Sequence, residues 1–433
     1  MISLLKGTST YLLFSIFSKA VPFFLLPVIT FHLTPSEFGK WSIFLAILAL
    51  TAPLINLNLR NQISRNFFKL KKIDLSLLFF NLIVINSFVF FFILFFVFLI
   101  SFALKVNYFV NNYIFLIPII IFFKTFVDYL LTILRLEFKP FPFGLIEIGN
   151  TLLHYLISTT LIIYFSFEWE GLLLGLLVSA ILIGSLSLFL IIKKKYISFS
   201  FDSKIIKKSL KVCLPLTPYA ITSTIVFLSD RLIIENLMGT SHAGIYSIGF
   251  TIGALVYFIV DAFKNIWSPW VYKKLSKVRM SVKIEFVHLT YLVFLFIPLV
   301  SISVCFFGFF YINYFINSSY KMALEVIYWT SFSFIFLGYY STIYPLMVSK
   351  GKTFIFLVIG IVSSTINIIL TIVLVTKNGI VGAAHATCIT YIISFIILFV
   401  YTQKHYQLPW ISYLIRLING KSKLTKYLKT NHR

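Results

Sequence analysis

The stretch Glu168–Lys195, EWEGLLLGLLVSAILIGSLSLFLIIKKK, decides the fold. Its centre, Gly171–Ile192, carries no charge and is long enough to cross hydrocarbon, which takes roughly 20 residues of helix. One flank holds Glu168 and Glu170 with no cation; the other is Lys193-Lys194-Lys195. A membrane helix whose positive charge gathers at one end turns that end to the cytoplasm.

The same unit recurs along the chain. Apolar spans are read at Tyr11–Leu33, Trp41–Leu59, Leu77–Ala103, Tyr113–Leu134, Phe143–Phe165, Gly171–Ile192, Val212–Glu235, Ala243–Ile266, Ile284–Phe310, Met322–Met347, Phe354–Val375 and Ile380–Tyr401. All are expected to be helices, because a strand edge in lipid leaves backbone groups unpaired. The composition agrees: 433 residues, 60% hydrophobic and 12% charged, with a mean hydropathy of +0.98, exclude a soluble domain.

The net charge of +24 raises the question of nucleic acid, and the placement of the charge answers it. Alternate loops hold Arg60, Arg65, Lys69, Lys71 and Lys72, then Arg135 and Lys139, then the lysines from Lys193 to Lys211. Lys273, Lys274, Lys277, Arg279 and Lys283 follow, then Lys350 and Lys352. The loops between hold little more than Lys40, Lys105, Lys321 and Lys377. Anchoring by positive inner loops accounts for the excess, no nucleic-acid partner is expected, and both termini are expected in the cytoplasm. Cys213, Cys305 and Cys388 lie inside apolar spans without paired spacing, so neither disulfide nor metal is expected. No cleavable signal peptide is expected either, since the first span is long and interrupted by Lys19, Pro22 and Pro27.

The two ends of the ladder echo each other. Gly39-Lys40-Trp41-Ser42 follows the first span, and Gly244-Ile245-Tyr246-Ser247 follows the seventh. Gly171 opens the sixth span and Gly379 the twelfth, at almost the same offset. An even number of spans separates the echoes, so the two halves cross in the same direction, a parallel repeat whose interface is the expected substrate path. The division read from this is residues 1–192 for the first half, 193–211 for a basic cytoplasmic linker, 212–401 for the second half and 402–433 for a basic cytoplasmic tail. The fold class is thus an all-α integral membrane protein of about twelve transmembrane helices in two pseudo-symmetric bundles.

Charges inside the spans are candidate functional residues, because each costs about 2.5–3.5 kcal/mol to insert. Lys19 lies mid-span beside Pro22 and Pro27, which bend a helix and open space near the charge. Lys124 and Asp128, and likewise Asp261 and Lys264, are spaced to share a helix face, which also fits simple local neutralisation. Asp230 and Arg231 are adjacent and need separate partners, and Arg60 lies near a boundary where it can snorkel. Glu147, Glu235 and Glu325 are read as solvated span ends, and His154 and His385 as packed side chains rather than metal ligands. No P-loop is present and no cofactor is expected.

Several stretches resemble the polysaccharide transporter family, the lipid-linked oligosaccharide flippases of the multidrug/oligosaccharidyl-lipid/polysaccharide exporter group. They are Leu33-Thr34-Pro35-Ser36-Glu37-Phe38-Gly39, Asp230-Arg231 with Gly244-Ile245-Tyr246-Ser247, and Asn367 with Gly379-Ile380-Val381-Gly382-Ala383-Ala384-His385-Ala386-Thr387. The resemblance covers nearly the whole chain. It implies two six-helix bundles facing a central cavity of alternating access in a bacterial inner membrane. It implies a cargo of oligosaccharide on undecaprenyl pyrophosphate, for O-antigen or a similar surface glycan, driven by an ion gradient. Lys19 matches a basic position on the family's first helix and Lys264 one on the eighth, with Lys124 and Arg60 as further candidates for the cationic cavity. Asp128, Asp230 and Asp261 are candidates to carry the coupling proton or Na+. Membrane lipids and polysaccharide-assembly enzymes are the expected partners. Two other classes stay open: a multidrug cation antiporter of the same fold, which wants an acidic cavity, and a membrane glycosyltransferase, which wants a large outer loop.

Overall fold

The computed structural model describes residues 2–104, 113–275, 280–352 and 354–413, and every regular element among them is helical. In chain order these are α1 (Ile2–His32), α2 (Pro35–Asn56), α3 (Arg60–Asn66), α4 (Lys72–Leu104), α5 (Leu116–Leu136), α6 (Pro140–Phe165) and α7 (Glu170–Lys193). They continue as α8 (Ser203–Cys213), α9 (Leu216–Met238), α10 (Thr240–Gly253), α11 (Leu255–Leu275), α12 (Met280–Phe315), α13 (Ala323–Ser349) and α14 (Phe354–Tyr406). The tail beyond 413, and with it Lys105, Lys277 and Arg279, lies outside the described residues.

Ten helical stretches among the described residues are long and apolar enough to cross a membrane, α10 and α11 counting as one. Two physical features bring this to the twelve crossings read from sequence. Helix α14 has 53 residues, which straight would span about 80 Å, far more than a hydrocarbon core of about 30 Å. It is a hairpin, folded where Gly379 takes φ 60° and ψ −148°. Across the two arms the Ser363 and Ser394 hydroxyls meet at 2.7 Å, and a Cβ on Gly382 would fall 2.0 Å from the Leu374 carbonyl oxygen. Helix α9 is the other: Asp230, Arg231 and Glu235 lower its hydropathy, yet it packs among α2, α10 and α14.

The seventh span begins later than its apolar run, because the chain breaks at Leu214-Pro215 between α8 and α9. The basic stretch 193–211 is not bare loop. Asp202 caps α8 by accepting from the backbone N–H groups of Lys204 and Ile205, at 2.8 and 3.4 Å. The apolar side of α8, with Ile205, Ile206, Leu210 and Cys213, packs into the cluster beneath α3 and α4. The extended chain ahead of it is tied to α4: Ser198 N–H donates to the Ser76 carbonyl (3.2 Å), and Asn81 bonds Ser200 and Asp202.

Packing sorts the helices into a group of α1–α7 and a group of α9–α14. Helix α1 lies on α6 and α5 on α7; α9 lies on α14, and α13 runs against α10, α11, α12 and α14. Helix α2 crosses between the groups onto α9 and α10. A capping box starts α2, with Thr34 N–H donating to Glu37 (2.6 Å) and Glu37 N–H to the Thr34 hydroxyl (3.3 Å). There the two glycines of the repeat touch. A Cβ on Gly39 would fall 1.9 Å from the Thr240 carbonyl oxygen, and one on Gly244 would fall 2.0 Å from that of Pro35. The contact is reciprocal, as a two-fold relation between repeats requires. The Ser36 and Thr240 hydroxyls (2.8 Å) and the Tyr320 hydroxyl donating to the Leu33 carbonyl (2.9 Å) complete this tight end.

Candidate functional site: a cavity between α1 and α11

Away from the tight end the two groups separate around a cavity of about 1620 Å³, bounded by α1 and α6 on one side and α11 and α12 on the other. Toward the tight end it is sealed by Phe23 stacked on Tyr311 (ring centroids 4.3 Å apart), whose hydroxyl donates to the Phe23 carbonyl at 2.6 Å. At the opposite end Arg135, Phe138 and Pro140, around the α5–α6 connection, form the rim. Ile16, Phe24, Phe296 and Leu299 give the cavity apolar, exposed walls on α1 and α12.

Three of the charges meet on the α11 side. Asp261 on α11 receives Lys264 Nζ at 2.7 Å on one carboxylate oxygen and Lys19 Nζ of α1 at 3.9 Å on the other. Lys19 also lies over the Phe258 ring, 4.7 Å from its centroid. On the facing wall Glu147 of α6 accepts two contacts from the Ser15 hydroxyl, at 2.9 and 3.1 Å. Ser18 and Thr151 pair at 2.8 Å, extending a polar seam between α1 and α6. Lining cations (Lys19, Arg135) and lining carboxylates (Glu147, Asp261) are equal in number, and Lys264 adds one cation behind them.

The remaining candidates stand elsewhere. Arg60 and Asp128 line a small separate cavity of about 130 Å³ with Asn58, Thr125 and Tyr129, and Lys124 is one turn from Asp128 on α5. Asp230 is wholly buried among α9, α10 and both arms of α14. It accepts from the Tyr246 hydroxyl at 2.5 Å, Thr387 at 2.9 Å and Thr371 at 3.1 Å. Arg231 turns the other way, donating to the Phe227 carbonyl (2.8 Å) and lying over Phe250 (4.3 Å). Thus Lys19 and Asp261 come together in the large cavity with Lys264 bound behind Asp261, while Arg60, Lys124, Asp128 and Asp230 do not join them.

Arg135, Ser15, Phe258 and Glu147 are cavity residues that the sequence reading did not select. Glu147 looked like a solvated span end; its signal was Ser15 and Ser18 on α1, polar positions on a face that needs a polar neighbour. At the cavity rim Glu137 receives Lys194 (2.6 Å), Lys139 (2.9 Å) and the Tyr196 hydroxyl (2.7 Å). Partial burial pushes its carboxyl up, but these donors outweigh burial and hold it at about 2. At the tight end Glu37 lies beside Glu168 and, with some burial, raises its carboxyl above the ordinary range.

A helical membrane protein whose two helix groups close at one end and part at the other, around a cavity that holds a few charged groups on apolar walls, has the architecture of an alternating-access transporter. The fold is that of known ones. A multidrug resistance MATE family transporter of the MOP superfamily superposes in its inward-facing conformation with a TM-score of 0.68, at 13% identity, covering 92% of this chain and 94% of that one. Its outward-facing conformation gives 0.64, at 13% identity, covering 94% and 95%. The Vibrio cholerae MATE transporter VcmN in its bent form gives 0.61, at 12% identity, covering 94% and 98%. Residues 4–272, more than half the chain, match the polysaccharide biosynthesis protein family, and the chain belongs to it. Similar sequences include an uncharacterized membrane protein of Haemophilus influenzae, 22% identical over 298 residues (66% of this chain, 69% of that protein). A protein of the Lsg locus in the same organism is 23% identical over 283 residues (64% and 68%). The family is thus one of polysaccharide biosynthesis, and the fold is that of multi-pass membrane transporters.

Proposed function

We propose that the protein is a flippase that moves oligosaccharide on undecaprenyl pyrophosphate from the cytoplasmic to the outer leaflet of a bacterial inner membrane. The observation that carries this reading is the cavity itself, with Lys19 on its wall, Lys264 bound behind Asp261, and apolar, exposed faces on α1 and α12. Such a space suits an amphiphile with an anionic junction: sugars within the cavity, diphosphate at the ammonium groups, polyprenyl chain left in the bilayer. Its volume of about 1620 Å³ exceeds the roughly 300–1,000 Å³ of sites for drug-sized ligands, which favours an oligosaccharide over a small organic cation.

In this reading the open end, with Arg135, Lys139 and Lys194 at its rim, is cytoplasmic, and the tight end faces outward. Coupling to an ion gradient runs through Asp230, a buried carboxylate ringed by hydroxyl oxygens from α10 and both arms of α14. Near it the Asn367 carboxamide oxygen accepts from Ser229 at 3.4 Å. The test is reconstitution with a fluorescent lipid-linked oligosaccharide. Lys19→Ala and Lys264→Ala are expected to reduce flipping to the protein-free rate at equal insertion. Undiminished flipping in both, or flipping of organic cations in place of the lipid, overturns the reading.

A further inference from the structure

The cavity's lysines are not waiting for an anion, because Asp261 already holds them. Each of its carboxylate oxygens takes one ammonium, Lys264 Nζ at 2.7 Å and Lys19 Nζ at 3.9 Å. Lys19 reaches across from α1 and rests on α11 twice, at Asp261 and over the Phe258 ring one turn earlier. The group stays wet: the Lys19 side chain is 43% exposed and that of Asp261 27%, so the pairing is weak enough to exchange. The facing carboxylate, Glu147, is occupied by Ser15, and Arg135 stands at the rim.

The cavity is open, and its walls at Phe24, Phe296 and Leu299 are apolar and exposed. Bare lysines beside such an opening would collect whatever anionic lipid the leaflet holds, and ordinary phospholipid is in vast excess over any carrier lipid. One carboxylate set between two ammonium groups is a competitor that a singly charged phosphodiester does not displace. A diphosphate, with more charge and more oxygens, does.

We propose that Asp261 is a resident counter-ion that sets specificity, excluding singly charged phospholipids from the cavity while yielding Lys19 and Lys264 to a diphosphate. The inference rests on the anionic-lipid reading above. It makes Asp261 a positioning and selectivity residue, and substrate entry an exchange of the α1–α11 ion pair for a phosphate bridge between the same lysines.

The experiment uses the full-length purified protein in neutral detergent with three probes, farnesyl diphosphate, dioleoyl phosphatidylglycerol and farnesol, with binding read by native mass spectrometry. Wild type is expected to prefer the diphosphate over both others. Asp261→Asn is expected to bind phosphatidylglycerol about fivefold to tenfold more tightly, with a smaller gain for the diphosphate, so the preference narrows. Asp261→Glu, which keeps the charge, retains the wild-type preference, and adding Lys19→Gln to Asp261→Asn removes the phosphatidylglycerol gain. A preference unchanged in Asp261→Asn, while Lys19→Gln weakens diphosphate binding, overturns the counter-ion and leaves the phosphate site standing. Equal binding of farnesol and farnesyl diphosphate by wild type overturns both.

Discussion

The two ends of the helix bundle meet by opposite chemistry. At the tight end, backbone touches backbone: Gly39 and Gly244 leave no room for a Cβ, and hydroxyl bonds from Ser36 and Tyr320 stitch the seam. At the open end, α1 and α11 face each other across a wet gap and are joined by Lys19 and Asp261 at 3.9 Å. The first contact is dry, short-ranged and intolerant of size; the second is screened and exchangeable. A transporter needs one seam that shuts and another that yields to cargo, and in the reading proposed above small residues and charged residues divide that work.

The comparison breaks first if the glycine seam is not a close contact. Gly244→Ala drives a methyl group to 2.0 Å from the Pro35 carbonyl oxygen, so a loss of about 1–3 kcal/mol and a sharp drop in flipping are expected. Gly149→Ala is the control, since nothing lies within 4 Å of its added carbon, and it stays within about 1 kcal/mol of wild type or gains. Equal melting temperatures for the two variants would end the argument from close packing. Next in size, Asp230→Asn removes the charge that Tyr246 reaches from two residues beyond Gly244. About 1–2 kcal/mol of stability is expected to go, together with the dependence of flipping on the ion gradient. Flipping that still responds to the gradient would move coupling to another carboxylate.

The smallest effect concerns the open rim. Glu137 binds the α5–α6 connection to Lys194 and Tyr196 at the end of α7, and its carboxyl is held at about 2 against an ordinary 4.5. A carboxyl depressed by folding contributes stability above its ordinary value and loses it as pH falls toward the depressed one. Glu137→Gln is therefore expected to cost up to about 1 kcal/mol at neutral pH after solvent screening, with the difference from wild type fading between pH 4.5 and about 2. Melting curves across that range provide the check; a difference that grows in acid would show that another group holds the rim.

Much of this was legible in the residues. The apolar runs marked the crossings, and the echo of Gly39 in Gly244 falls where α2 and α10 touch. Proximity across long sequence separations was not. Lys19 looked like an isolated intramembrane charge and Asp261 like the local partner of Lys264, and no local spacing announces that α1 and α11 bring Lys19 and Asp261 together. Asp230 was visible as a buried acid, but its partners Thr371 and Thr387 lie on a distant hairpin and are chemically ordinary. Helix α8 was hidden for another reason: the seven lysines from Lys193 to Lys211 read as a linker, although Asp202 as a cap and the spacing of Ile205, Ile206 and Leu210 spelled an amphipathic turn.

Helix α8 has a mechanical consequence. Because it and the chain ahead of it are fastened to α3 and α4, the slack between the two helix groups shrinks to the joint at Leu214-Pro215. A leash that short lets the halves tip like a rocker on a pivot, but it does not let them drift apart. Lengthening it with a few glycines would convert a swivel into a tether and uncouple the stroke of one half from the other.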